Sequence, residues 1–152
     1  MKRITISALT IVLFISYQAN AQDGFHKIKS SYSVDATVTK LADVLTAKGM
    51  TIFSTIDHQQ GAIKAGLELR PTVLVIFGNP MVGTALMQCD QRIGLALPLK
   101  MLVWQDDAGL TWLGYREPSK FNNEYNLESC NETLAKVKNA MANFARVATS
   151  EG

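Results

Sequence analysis

Thr72-Val73-Leu74-Val75-Ile76-Phe77, closed by Gly78-Asn79-Pro80, is the stretch on which the reading of the fold turns. The run carries no charge and is rich in the β-branched types that suit a pleated strand. It does not alternate. A strand wetted on one side alternates apolar with polar residues, whereas an unbroken run fits a strand buried on both faces and central in its sheet. Gly78-Asn79-Pro80 ends it with a strong turn signal. With Gly83-Thr84 this turn could offer a cradle of backbone N–H groups, but Pro80 lacks one donor and the Lys-Ser/Thr pair of phosphate loops is missing. A tight turn after a buried strand is the simpler reading.

Working upstream, Phe25 to Tyr32 reads as a strand. Val34, Val38, Leu41, Ala42 and Leu45 fall on one face at helical spacing. Ser33 or Asp35 can cap this helix, and Gly49 stands where it would end in the left-handed conformation. The spacing therefore predicts a helix over Val34–Lys48. Met50 to Asp57 alternates and is strand-like. Residues 58–70 fit a short helical turn or an irregular loop.

Downstream, Val82, Ala85, Leu86 and Cys89 suggest a helix within 81–92. Leu95 to Gln105 is strand-like, with Pro98 marking an edge position or a bulge. Asp106-Asp107-Ala108-Gly109 is a hairpin turn, and Leu110 to Tyr115 is its return strand. Pro118 to Leu127 suits a short helix or loop. Ser129-Cys130-Asn131-Glu132 has the form of a capping box. Cys130, Leu134, Val137, Met141, Phe144 and Ala148 follow as one apolar stripe. Strands in runs, with helices amphipathic on one side, predict an α+β two-layer sandwich with an antiparallel-rich sheet.

The start of the chain reads as a leader. Met1-Lys2-Arg3 is basic, Ile4 to Tyr17 is an uncharged apolar run, and Ala19-Asn20-Ala21 is a small-x-small cleavage site. The run is 14 residues long, short of the ~20 needed to span a bilayer. Residues 1–21 are thus expected to be a signal peptide, which puts the mature chain in the periplasm or outside the cell. Its removal from 152 residues leaves 131, the size of a single domain, residues 22–152. No later segment is apolar enough over sufficient length to span a membrane. The chain holds 15 Lys+Arg and 13 Asp+Glu; the leader takes Lys2 and Arg3, so the mature balance is 13 against 13. A neutral chain without a basic run offers no footprint for nucleic acid. In an oxidising compartment Cys89 and Cys130 are either a disulfide or two buried thiols.

Further motifs carry a resemblance. Asp57-His58, Gly66-Leu67-Glu68-Leu69-Arg70-Pro71-Thr72, Phe77-Gly78-Asn79-Pro80, Gly83-Thr84 and Leu86-Met87 are followed by Leu97-Pro98-Leu99-Lys100-Met101-Leu102-Val103-Trp104. Together they resemble the signature of the bacterial domain-of-unknown-function 302 family, from about Phe25 to Phe144. The resemblance implies a β-α-β(4)-α order with a TATA-box-binding-protein-like architecture, and a homodimer. It implies no activity, and the DNA-binding habit of that architecture's namesake does not transfer. One stretch departs: where many members resemble Arg-His-Gly-Leu, this chain has Glu124-Tyr125-Asn126-Leu127.

The site candidates are few. Asp57 and His58 stand at a strand end, as a cap or as a ligand-binding pair at a cleft edge. Asn79 lies in the turn after the apolar run. Trp104 and Trp112, with Met101 and Tyr115, could line a pocket or an interface, and Lys100 lies beside them. The candidate ligand-binding residues are therefore Asp57, His58, Asn79, Lys100 and Trp104. His26, His58, Cys89, Asp90 and Cys130 show no metal-ligand spacing. There is no Gly-x-Ser-x-Gly elbow and no haem-attachment motif. No catalytic residue, metal or cofactor is assigned. The leading expectation is a non-enzymatic exported domain that binds a small molecule or a protein. The alternatives are an enzyme using His58, with Asp57 or Glu68, in acid–base chemistry, and a self-associating structural domain.

Overall fold

The computed structural model describes residues 24–151; the expected signal peptide lies outside the described residues. The elements run β1 (Phe25–Lys29), α1 (Val34–Ala47), β2 (Thr51–Asp57), α2 (His58–Lys64), β3 (Thr72–Gly78), α3 (Pro80–Cys89), β4 (Leu99–Gln105), β5 (Thr111–Arg116) and α4 (Asn131–Thr149). The five strands form one sheet in the order β1-β5-β4-β3-β2, and every pairing is antiparallel. The fold is the α+β arrangement expected.

Helices α1 and α4 pack on each other and across one face of this sheet. Leu41 and Leu45 from α1, and Met141 and Phe144 from α4, meet Val75, Phe77, Met101 and Leu113 from the strands. Fully burying each such side chain stabilises by about 1.5–3 kcal/mol. The layer also encloses Ser30 and Thr37, whose hydroxyls share a 2.7 Å hydrogen bond, so neither buried polar group is orphaned.

Helix α1 begins where Ser33 Oγ accepts the Ala36 N–H at 3.3 Å, and it ends before Gly49, whose φ of +69° only glycine adopts without strain. The expected capping box does not form. Ser129 lies in a 3-10 turn (Glu128–Cys130), and its hydroxyl donates to Cys89 Sγ at 3.0 Å. Helix α4 starts without a side-chain cap but carries the expected stripe.

Two expectations about the sheet are corrected. Strand β3 is interior but not central, and it is buried on one face only: Val73, Val75 and Phe77 are buried, while Leu74 and Ile76 are half-buried on the other side. Pro98 does not mark an edge or a bulge. It precedes the central strand β4, where its missing N–H removes no ladder bond. The strand starts at Leu99 rather than at Leu95, which ends a 3-10 turn (Gln91–Leu95).

Candidate functional site

At one end of the sheet, helices α3 and α4 leave an apolar groove of about 480 Å³. Its floor is the C-terminal end of β3 at Gly78 and the approach to β4 at Leu97–Leu99. One wall is α3, from Pro80 to Met87; the other is α4, through Val137, Met141 and Phe144. Met50 and Phe53 close it from the β2 side. Phe53 sits at a bulge in β2, between Ile52 and Ser54. The polar side chains in the lining are Asn79, Thr84 and Lys136.

The local sequence explains the shape. Asn79 caps α3, its Oδ1 accepting the Met81 N–H at 3.0 Å, with Pro80 preorganised at the first helical position. The helix therefore leaves the strand at once and stands as a wall. Gly78 lets the Phe53 ring lie close: a Cβ there would sit 3.2 Å from it. Gly83 leaves the α3 wall low, since a Cβ there would meet only Leu97, at 3.8 Å. Cys89, at the end of α3, is bonded to Cys130, just before α4, with Cα atoms 6.4 Å apart. This disulfide is the open alternative of the sequence reading now resolved, and it fixes the spacing of the two walls. Lys136 stands at the rim with its Nζ 2.7 Å from Glu132 Oε1. A groove with three thioethers (Met50, Met87, Met141), two phenyl rings and few donors suits an apolar guest of irregular shape.

The five candidate residues do not converge. Only Asn79 lines the groove. Asp57 caps α2, its Oδ1 accepting the Gln60 N–H at 2.9 Å. His58 is the exposed first residue of that helix. Lys100 and Trp104 project from β4 on the sheet face opposite the helices, while Met101 is buried on the helix face. Trp104 is opposite Trp112 and its ring lies 6.0 Å from that of Phe25. The Trp112 indole N–H donates to Asp106 Oδ2 at 2.7 Å, and Lys27 Nζ lies 4.7 Å above its ring. Lys100 Nζ donates to Pro98 O at 2.7 Å and Ala96 O at 3.1 Å; burial, then the charge of Arg116, pushes its pKa down. Tyr115 is on the helix face, its pKa raised by burial. Among the described residues no cluster of His, Cys, Asp or Glu could hold a metal ion.

Sequence reasoning missed every groove residue but Asn79; five of them are Met50, Phe53, Val137, Met141 and Phe144. All carry the ordinary signature of a core. What sets them apart is that α3 and α4 splay over them, and no periodicity reports that.

The fold and groove together define a two-layer α+β domain with a ligand-sized apolar cleft at one end of its sheet. Residues 26–144 match the domain of unknown function DUF302, and the chain belongs to that family. It is similar to a crystal structure of an uncharacterized conserved DUF302 protein from Bacillus stearothermophilus, with TM-score 0.75 and 20% identity over 82% of this chain and 98% of that one. It is also 39% identical, over 114 residues, to proteins named fluoride-specific ion channel FluC 1 from Brucella suis and Brucella abortus. That stretch is 75% of this chain but 45% and 42% of theirs, so the chain spans less than half the length of these relatives.

Proposed function

We propose that this chain is an exported, non-enzymatic binding domain whose groove takes up a small, largely apolar molecule. The observation that carries the reading is the coincidence of motif and groove. Most of the sequence from Gly78 to Met87, and all of Leu97 to Leu99, lines the cleft. These residues include two glycines and two prolines, types that shape a cavity rather than perform chemistry. The bonded cysteine pair supports export, since disulfides persist outside the reducing cytoplasm.

The stretch shared with the Brucella relatives is less than half of their length, so what their name says is not carried to this chain. No helix among the described residues is long and apolar enough to cross a membrane.

The test is a titration of the purified protein with the apolar dye 1-N-phenylnaphthylamine. Saturable dye fluorescence and a rise in melting temperature, as linkage requires, are the expected results. Gly83→Leu should abolish both while raising the melting temperature of the free protein, because it fills the groove and removes a helical glycine. Dye binding that is unchanged in this variant would refute the groove as the site.

A further inference from the structure

The apolar runs Thr72–Phe77 of β3 and Met101–Trp104 of β4 are those of strands covered on both faces, yet the described residues cover only one. On the open face, Leu74 and Ile76 from β3 lie beside Leu102 and Trp104 from β4, with Phe25 and Trp112 adjoining. None of these is fully buried, and Phe25 is 37% exposed. The charged side chains on this face all have one sign. Lys27 and Lys29 follow Phe25 along β1; Arg116 on β5 pairs with Phe25, and Lys100 on β4 pairs with Ile76. Among the described residues, no strand position on this face carries a carboxylate. Asp106, in the β4–β5 hairpin, is engaged by Trp112 and the hairpin amides, and Glu124 pairs with Arg116, which leaves Lys27, Lys29 and Lys100 as the cations without a carboxylate partner among the described residues. The described chain as a whole is nearly neutral, so the cations are segregated rather than in excess.

We propose that the open sheet face docks on an anionic phospholipid surface. The chemistry is that of peripheral membrane proteins, in which lysines meet lipid phosphates while indole and aliphatic groups enter the interfacial layer. Five strands make a platform roughly 20 Å wide, broad enough for several headgroups. A second copy of the chain fits less well. A two-fold interface places the same patch on both partners, so both sets of cations would be desolvated with no carboxylate to receive them.

The chain's two tryptophans, Trp104 and Trp112, both lie on this face, so intrinsic fluorescence reports docking directly. The purified protein is mixed with vesicles of phosphatidylcholine alone or with 30 mol% phosphatidylglycerol. The expected result is sedimentation and a blue-shifted tryptophan emission with the anionic vesicles only, both lost in 0.5 M salt. The double variant Lys27→Gln/Lys29→Gln should bind about 25-fold more weakly, at about fivefold per cation. Gly83→Leu should bind vesicles normally, which separates this surface from the groove. Equal binding to both vesicle types, none to either, or binding without an emission shift would overturn the proposal. So would a dimer of the free protein that Trp104→Glu converts to a monomer, which would give the face to a second copy.

Discussion

The ring of Phe77, near the end of β3, meets the ring of Phe144 on α4 edge-on, with centroids 6.1 Å apart. This contact joins the strand that precedes the turn to the helix that walls the groove. Phe144 is 4% exposed and faces both the core and the cleft. Phe144→Ala should cost about 3–5 kcal/mol, the range for truncating a buried aromatic. Urea unfolding of the two proteins checks this, and a cost below about 1 kcal/mol would mean that α4 is not seated as described.

The disulfide should carry much of the stability of the groove end. Cys89 and Cys130 are 41 positions apart, and closing such a loop stabilises by roughly 4 kcal/mol in the chain-entropy model. Denaturant midpoints with and without reductant should therefore differ widely. The double variant Cys89→Ser/Cys130→Ser should match the reduced protein and no longer respond to reductant.

Acid should weaken the fold through two turn carboxylates. Hydrogen bonds from the Arg92 side chain, then the Asn126 and Arg92 amides, hold Asp90 far below its ordinary 3.8. The Trp112 indole, then the Leu110 amide, lowers Asp106. A carboxylate with a depressed folded pKa adds stability that is complete above its unfolded value and lost as pH falls toward the folded one. The urea midpoint should be level from pH 7 to about 5 and drop below pH 4. Asp90→Asn should lower the midpoint at pH 7 and flatten the acid limb. A wild-type midpoint that holds level down to pH 2.5 would contradict this assignment.

Gly114 on β5 is a close-approach position. A Cβ there would come 3.0 Å from the Trp104 ring and would collide with Phe25. Gly114→Val should displace both rings at a cost of about 1–3 kcal/mol. Tryptophan emission and denaturation report the two effects. Gly61→Ala, in the open on α2, should be neutral or slightly stabilising.

The helices were legible because period and caps agree, as with Val34 to Leu45 before Gly49. The sheet was legible in order but not in depth. Thr72–Phe77 reads as buried on both faces, and local sequence does not say whether a second layer belongs to the same chain. Pro98 misled because a proline just ahead of a strand and a proline on an edge strand look alike without register. The capping box failed because Ser129 turns toward Cys89, a neighbour 40 residues away. The site was legible only at Asn79. His58 and Trp104 stand out by residue type, whereas the groove is made of residues that look like core and differ only in what the neighbouring helices leave uncovered.

The most direct test of the apolar groove is an NMR titration of methionine methyl groups with 1-N-phenylnaphthylamine. Met50, Met87 and the deeply buried Met141 line the cleft, whereas Met101, also buried, does not. Saturable shifts are expected at the first three and none at Met101. Shifts that are absent, or that spread evenly over all four, would contradict it.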